Sequence, residues 1–200
     1  MYAWRGYAGE HKLEDDPNRL TLTACDQGSV VGTLTIGLDS HVGLLADAAF
    51  KEEIDRFREA GARICEVSKF AFDTAVRSKL GLASMFHLAL IYARDFYKCT
   101  HVFIEVNPRH RRFYEQMLGF RQQGEMKINA RVNAPAYLLA VDLDYVTEQI
   151  RKHGGTGPGN TTERSFFPLF FSAREERAIL ERLRGVDRAH APELPALLSA

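Results

Sequence analysis

The order of extended and helical patterns along the chain is the feature that most limits what it can fold into. Apolar and polar residues alternate from Arg19 to Cys25 and again from Ser29 to Gly37, and Asp26-Gln27-Gly28 between them predicts a β-hairpin turn. Further apolar spacings predict elements at these positions: a helix near 44–60, a strand over 63–72, a helix over 82–96, a strand over 100–106, a helix over 109–118 and a strand over 137–141. Because there is no regular βα repeat, we expect an α+β fold with a mixed sheet and helices packed on it.

One predicted strand carries polar side chains on a face that is otherwise apolar. Alternation over 63–72 places the following residues on one face of the sheet: Ile64, Glu66, Ser68, Phe70 and Phe72. A carboxylate there must be hydrogen-bonded or open to a cleft, because burying an isolated charge is costly. In a cleft, Glu66 could act as a general base that takes a proton from a bound substrate. The alternative is a structural ion pair between Glu66 and a neighbouring arginine.

Composition and charge exclude several classes of function. The chain has 200 residues, 46% of them hydrophobic, which suits one domain with a substantial core. Its 26 basic and 26 acidic side chains give no overall charge that would favour nucleic acid or an anionic membrane, and no stretch is apolar enough for stable membrane insertion. Cys25, Cys65 and Cys99 lack the spacing of a metal site, so we expect reduced, mostly buried thiols, no metal and a cytoplasmic location.

The last fifty residues differ in composition from the rest. The run from His153 to Asn160 is rich in glycine and predicts a flexible linker, and Ala173 to Leu183 predicts an amphipathic helix. Four aromatic side chains lie between these segments, and we expect them to dock on the main domain: Phe166, Phe167, Phe170 and Phe171. A surface for a partner is the alternative. The division expected is a domain over 1–150 and a helical extension over 151–200.

The segment from Asn107 to Phe120 reads Asn-Pro-Arg-His-Arg-Arg-Phe-Tyr-Glu-Gln-Met-Leu-Gly-Phe. It resembles the acyl-CoA motif of the GNAT superfamily of N-acyltransferases, which implies a mixed, mainly antiparallel sheet flanked by helices. The resemblance also implies that Tyr114 protonates the departing thiolate, which is feasible for a phenol of pKa about 10, and that Asn107, Arg109 and His110 lie along the donor. The alternatives are a packing role with a bonded hydroxyl for Tyr114 and a solvated helix face for His110.

A second element stands where GNAT proteins place their pyrophosphate loop. It is Arg77-Ser-Lys-Leu-Gly-Leu-Ala83, and backbone N–H groups at the start of a helix can bind a diphosphate. The resemblance assigns the end of the preceding strand and this loop to the donor: Phe70, Ala71, Phe72, Arg77, Ser78, Lys79, Leu80, Gly81, Leu82 and Ala83. Ser78 replaces the usual glutamine or arginine, which weakens the site for free CoA and leaves acyl-CoA and acyl carrier protein as the two donors. A solvated basic loop is the alternative.

The strand Cys65-Glu-Val-Ser-Lys-Phe-Ala-Phe-Asp73 narrows the resemblance. It is similar to a strand of the N-acyl amino acid synthases of the FeeM type and of autoinducer synthases, and the similarity to the first group extends over residues 1–145. It implies transfer of a medium or long acyl chain to the amino group of an amino acid or a similar small amine. The residues then expected on the acceptor side are Arg5, Ser68, Lys69 and Asn133. Lys69 stands where an arginine is usual. A lysine ammonium offers a carboxylate a point charge instead of the two parallel hydrogen bonds of a guanidinium.

Two other functions fit parts of the same pattern. An autoinducer synthase, which acylates S-adenosylmethionine and then forms a lactone, shares the strand with Glu66 and Ser68. Lys69 and the Tyr-Glu pair at 114–115 argue against it. A non-catalytic GNAT-like module that binds an acyl thioester or a partner protein through the aromatic C-terminal segment is the other alternative.

Overall fold

A computed structural model of the protein describes residues 18–73, 78–159 and 163–190. Six strands form one sheet in the order β1-β2-β3-β4-β6-β5, and their bounds are β1 Arg19–Asp26, β2 Ser29–Leu38, β3 Ile64–Phe72, β4 His101–Val106, β5 Arg121–Asn129 and β6 Ala134–Asp142. Neighbouring strands are antiparallel except for β3 and β4, which run parallel. The predicted α+β fold with a mixed, mainly antiparallel sheet is confirmed.

Helices cover both faces of this sheet. Their bounds are α1 Asp47–Glu59, α2 Lys79–Ile91, α3 Pro108–Leu118, α4 Leu143–His153 and α5 Ala173–His190. On one face, Phe50 and Ile54 of α1 are fully buried with Phe103 and Leu138 of the sheet. The other face packs against α2, α3 and α4 in a larger core. Burying one such aromatic or aliphatic side chain contributes about 1.5–3 kcal/mol, so both layers are fixed to the sheet.

Two elements were not predicted from the sequence. Strand β5 lies at the edge of the sheet and is mostly half-exposed or exposed. It also has an irregular register around Gly124, so it shows no regular apolar alternation. Helix α4 follows β6 at once, and the Asp142 carboxylate caps it by accepting hydrogen bonds from the backbone N–H groups of Asp144 and Tyr145, at 2.7 and 3.0 Å.

Strands β3 and β4 diverge at one end of the sheet. Their pairing covers only Ile64–Val67 and His101–Ile104, whereas β3 stays paired with β2 as far as Phe72. A bulge at Lys69, whose φ is +49°, shifts the register of β3 on β2. The strict alternation predicted over 63–72 is therefore wrong beyond Ser68. The side chains of Phe70 and Phe72 pack on the α2 side of the sheet, the face opposite to Glu66.

The aromatic segment after α4 is part of the larger core. Phe166, Phe167 and Phe170 are 5%, 2% and 1% exposed and lie in the cluster that contains α2 and α3. The glycine-rich run was predicted to be flexible, yet its N–H groups are bonded to this segment: Gly155 to the Phe170 carbonyl and Gly157 to the Pro168 carbonyl, both at 2.8 Å. Both glycines have φ of +73°, so this run needs glycine for its backbone conformation.

A polar contact joins the start of α5 to the main core. His87 of α2 is fully buried, and its Nδ1 accepts a hydrogen bond of 2.9 Å from the Phe171 N–H. The opposite nitrogen of the ring lies 3.5 Å from a Glu176 oxygen, and the other Glu176 oxygen accepts from the Arg94 guanidinium. Burial alone would raise the pKa of Glu176, but the nearby His87 ring and the hydrogen bond from Arg94 lower it to about 2.

This contact predicts a loss of stability in acid. The folded pKa of Glu176 lies below its ordinary value of 4.5, so its contribution is present above pH 4.5 and is lost as the pH falls towards about 2. At pH 7 we expect Glu176→Gln to lower the free energy of unfolding by about 1–3 kcal/mol. Urea titrations should show that this difference shrinks towards pH 2–3. Glu181→Gln, an exposed site on the same helix, serves as control; a difference independent of pH would contradict the assignment.

Candidate active site

Glu66 lies on β3 beside the point where β3 and β4 diverge. It is 3% exposed. Its Oε1 accepts a hydrogen bond of 2.8 Å from the Leu45 N–H and its Oε2 one of 3.0 Å from the Ala46 N–H, while an Arg19 nitrogen lies 3.9 Å from Oε1. Burial raises the pKa of Glu66 against the lowering effect of these N–H groups and of the nearby arginine charges. An ionised carboxylate can accept about four hydrogen bonds, so Glu66 can still accept one from a further donor.

Both interpretations of Glu66 from the sequence have some support in this geometry. The neighbouring arginine is present, but 3.9 Å is too long for a hydrogen bond. The two backbone N–H groups fix the orientation of the carboxylate more firmly than the arginine does. In addition, Gly37 faces Glu66 across the β2–β3 pair, and a Cβ there would lie only 3.3 Å from the Glu66 side chain. The carboxylate is thus fixed in place, and the missing side chain of Gly37 leaves room for it.

A network of charged side chains braces the loop that holds Glu66. The Asp47 carboxylate accepts a hydrogen bond of 2.7 Å from the Leu44 N–H, next to the two N–H groups that bind Glu66. Arg58 of α1 in turn donates to both Asp47 oxygens, at 2.8 and 2.6 Å, and to both Asp39 oxygens, at 2.8 and 2.7 Å. Arg58 therefore ties α1, the loop and the end of β2 together behind Glu66.

We expect Arg58→Leu to weaken both stability and activity. Three aspartates, Asp39, Asp47 and Asp55, would lose a common partner that is only 24% exposed, which should lower the free energy of unfolding by about 2–4 kcal/mol. Urea unfolding measures this change, and Arg56→Leu, an exposed arginine on the same helix, is the matched control. Equal effects of the two substitutions would show that the network does not brace the loop.

A second carboxylate, which was not predicted from the sequence, lies on the same face as Glu66. Phe103 is the register partner of Glu66, and Glu105 follows two residues later on β4. The Oε1 atom of Glu105 accepts a hydrogen bond of 2.6 Å from the Asn129 side-chain amide, and its Oε2 atom accepts one of 3.1 Å from the Arg131 guanidinium. Burial raises the pKa of Glu105 against these two partners. A signal existed in the sequence, because Glu105 interrupts an apolar strand as Glu66 does.

The residues predicted for the acceptor side are only partly brought together. The Ser68 hydroxyl oxygen is buried just beyond the end of the β3–β4 pairing. Lys69 forms the bulge of β3, and its carbonyl accepts from the Thr33 hydroxyl at 3.2 Å. Asn133 is exposed in the turn between β5 and β6 with φ of +46°, a conformation that asparagine tolerates well. Arg5 lies outside the described residues.

On the donor side, α2 and α3 begin where the two diverging strands end. Asn107 caps α3 by accepting from the Arg109 N–H at 3.2 Å, and Ser78 caps α2 by accepting from the Gly81 N–H at 2.9 Å. The cap on α2 was not predicted, and it occupies one of the N–H groups expected to bind pyrophosphate. Neither helix has an acidic residue in its first turn, so both N-termini remain favourable for an anion.

The other predicted donor residues surround these helix starts. Arg109 donates to a ring nitrogen of His110 at 3.1 Å, and both are exposed. Lys79 and Leu80 are exposed, Gly81 and Leu82 are half-buried, and Ala71 and Ala83 are buried. The ring of Phe72 lies close to Gly81: a Cβ at position 81 would be 3.6 Å from it. Arg77 lies outside the described residues.

Tyr114 lies in a cluster of aromatic rings that joins α3 to the diverging end of β3. It is 7% exposed, and its ring contacts Phe113 and Phe86 edge to face at centroid distances of 5.1 and 6.3 Å. Phe86 also packs against Phe70 at 5.0 Å. The packing role left open for Tyr114 is therefore present.

An apolar cavity of about 20 Å³ lies in the core between the sheet and α2. Its lining includes Val67, Phe86, Leu90, Ile104 and Val146. Cys65 lines it too, and Cys99 is also buried, whereas Cys25 is exposed, in agreement with the expectation of mostly buried thiols. Within residues 18–73, 78–159 and 163–190, no group of acidic, histidine or cysteine side chains could hold a metal ion, and no helix is long and apolar enough to cross a membrane.

A sheet split between its only parallel strands, with a helix N-terminus at each diverging end, is the arrangement of an N-acyltransferase of the GNAT superfamily. The family model of the N-acyl amino acid synthase FeeM matches residues 1–142, and the chain belongs to this family. The crystal structure of FeeM from uncultured soil microbes is 29% identical and covers 74% of this chain and 82% of its own, with a TM-score of 0.66.

Two other solved structures align with the fold at lower similarity. The CoA-dependent acyl-homoserine lactone synthase BjaI is 18% identical over 74% of this chain and 73% of its own, with a TM-score of 0.46. A spermidine N-acetyltransferase SpeG chimera from Vibrio cholerae and hSSAT is 11% identical over 66% of this chain and 72% of its own, also with a TM-score of 0.46. No curated protein sequence matches the chain.

Proposed function

We propose that this N-acyltransferase moves a medium or long acyl chain from acyl-CoA or acyl carrier protein to the amino group of an amino acid or a similar small amine. The observation that carries the proposal is the buried Glu66 carboxylate, held by two backbone N–H groups at the split of the sheet. A carboxylate whose pKa is raised by burial is a better base than a solvated one. The residue is therefore suited to take a proton from an ammonium group.

The reaction proceeds by direct attack. The pantetheine arm lies between the diverging strands, along the backbone of Phe70–Phe72 and beside Asn107. Glu66 takes a proton from the acceptor ammonium, and the freed nitrogen attacks the thioester carbonyl to form a tetrahedral intermediate with a new C–N bond. The C–S bond then breaks, Tyr114 donates its proton to the thiolate as it leaves, and the second proton lost by the attacking nitrogen restores the Tyr114 phenol. No enzyme nucleophile takes part.

Two features of the site support a long-chain donor on a carrier protein. The core between the sheet and α2 is apolar, and an alkyl chain would enter it only if side chains moved apart, because its cavity of about 20 Å³ holds about one water molecule. The cap by Ser78 occupies the Gly81 N–H, which leaves fewer donors for the pyrophosphate of free CoA. Acyl carrier protein is accordingly the favoured carrier, and a cytoplasmic location goes with a donor of either kind.

The test is thiol release by purified protein. Acetyl, octanoyl and palmitoyl thioesters of CoA and of acyl carrier protein are supplied with a pool of twenty amino acids, and products are identified by mass spectrometry. We expect amine-dependent thiol release and N-acyl amino acids, with octanoyl or palmitoyl preferred over acetyl. A lactone formed from S-adenosylmethionine would establish an autoinducer synthase instead. Intact donors together with a raised melting temperature would establish a binding module.

A further inference from the structure

Arg131 binds Glu105, the second carboxylate on the face of the sheet that carries Glu66, and the reaction above uses neither residue. Arg131 follows β5 in the turn to β6. Asn129 binds its backbone directly and its guanidinium through Glu105. The Asn129 side-chain oxygen accepts a hydrogen bond of 2.8 Å from the Arg131 backbone N–H. The Asn129 amide nitrogen donates a hydrogen bond of 2.6 Å to the Glu105 carboxylate, and this carboxylate also accepts one of 3.1 Å from the Arg131 guanidinium. Asn129 is 8% exposed and the Glu105 side chain 11% exposed, so the two residues that hold Arg131 are largely buried.

The guanidinium itself faces solvent. The Arg131 side chain is 42% exposed, and the contact with Glu105 uses one of about five N–H donors that a guanidinium carries. A planar guanidinium with several remaining donors can bind a carboxylate through two parallel hydrogen bonds. The positive charge of Arg131 also lowers the pKa of Glu66 as well as that of Glu105, so it acts on both carboxylates of the site.

Each of the two carboxylates of the candidate site has an arginine nearby. Two carboxylates, Glu66 and Glu105, are paired with two guanidinium groups, Arg19 and Arg131. A site for a polyamine would need an excess of negative charge, because every amino group of that ligand is cationic. A site with both signs of charge instead fits a ligand that brings an ammonium and a carboxylate together.

We propose that Arg131 binds the carboxylate of the acceptor and so determines specificity for amino acids over amines without a carboxylate. This inference rests on the proposed function. The acceptor ammonium faces Glu66 while its carboxylate faces Arg131. Glu105 and Asn129 are positioning residues, because they hold the guanidinium in place and do not reach the acceptor.

The test compares tyrosine with tyramine as acceptors, because the two differ only in the carboxylate. The wild-type enzyme should prefer tyrosine. In Arg131→Gln we expect kcat/KM for tyrosine to fall by about 10- to 100-fold, chiefly through KM, with little change for tyramine. Arg131→Lys should retain part of the preference, since it keeps the charge. Arg121→Gln, an exposed arginine at the other end of β5, is the matched control and should leave the preference unchanged.

The positioning residues predict a different kinetic signature. Glu105→Gln should raise KM for tyrosine while kcat changes little, whereas loss of the base lowers kcat. Equal losses for tyrosine and tyramine in Arg131→Gln would overturn the inference and leave Arg131 a purely structural role. A wild-type enzyme without preference between the two acceptors would overturn it too.

A binding measurement separates this inference from the proposed function. Calorimetry with tyrosine alone, in the absence of donor, should give a Kd about 10-fold weaker for Arg131→Gln than for the wild-type protein. If no amine is acylated but this difference is found, the proposed function fails and the carboxylate site stands. If acylation proceeds and the difference is absent, the carboxylate site fails alone.

Discussion

Replacing Glu66 by glutamine is expected to lower kcat/KM for acyl transfer by about 10²- to 10⁴-fold, the usual contribution of a positioned general base. The amide has nearly the same size but accepts no proton at neutral pH. It also presents an NH₂ group to one of the two backbone N–H donors, Leu45 or Ala46, so a stability loss of about 1–3 kcal/mol accompanies the change. Thiol release and urea unfolding are therefore measured on the same preparations.

Glu53→Gln is the matched control for this experiment. Glu53 is also buried, at 8% exposure, but it lies on α1 and pairs with Lys127 at 2.8 Å, with no direct contact to Glu66 among the described interactions. The Glu53→Gln variant should be less stable than the wild-type protein, but its activity per folded molecule should be unchanged. If Glu66→Gln behaves in the same way, Glu66 is a structural residue and the proton must leave the amine by another route.

The same carboxylate predicts how the rate depends on pH. Burial raises the pKa of Glu66 above its ordinary value of 4.5. Below that raised pKa the carboxyl is protonated and cannot act as a base, so kcat/KM should rise with pH through an apparent pKa above 4.5. The pKa of Glu105 is raised as well. The increase of kcat/KM with pH should nevertheless persist in Glu105→Gln and disappear in Glu66→Gln.

How far the sequence determined the candidate site depends on the range of the contacts. Glu66 could be found because its signal is local: a charged residue interrupts an apolar alternation on β3. The groups that hold it, the N–H groups of Leu45 and Ala46, come from a loop twenty residues away that carries no side-chain signal. Arg58 and its aspartates are likewise an ordinary charged pattern until the fold brings them behind that loop.

The bulge at Lys69 shows why strand periodicity failed. One extra residue reverses every later side chain, and nothing in Ser68-Lys69-Phe70 marks the insertion, because lysine is not a residue expected at positive φ. The reversal places Phe70 against Phe86, whose ring also contacts Tyr114. Strand β5 was missed for a related reason: an edge strand with a polar surface has no buried face to impose alternation.

Truncating Phe170 to alanine should have the largest effect on stability. The ring is 1% exposed, stacks on His87 at a centroid distance of 4.7 Å and meets Phe167 edge to face at 5.4 Å. Removing a buried phenylalanine from such a site lowers the free energy of unfolding by about 3–5 kcal/mol, through lost burial and the cavity left behind. Urea unfolding should show this loss in one cooperative transition, because the segment shares the larger core with α2 and α3.

The matched control is Phe171→Ala. This neighbouring ring also stacks on His87, at 4.9 Å, but it is only half-buried, so we expect a loss of about 1–2 kcal/mol. Since His87 belongs to α2, whose N-terminus lies on the donor side, Phe170→Ala should also raise KM for the donor more than Phe171→Ala does. A small loss for Phe170→Ala, or a separate early transition, would mean that the segment after α4 folds independently. In that case the C-terminal extension would be an accessory to the acyltransferase core instead of a part of it.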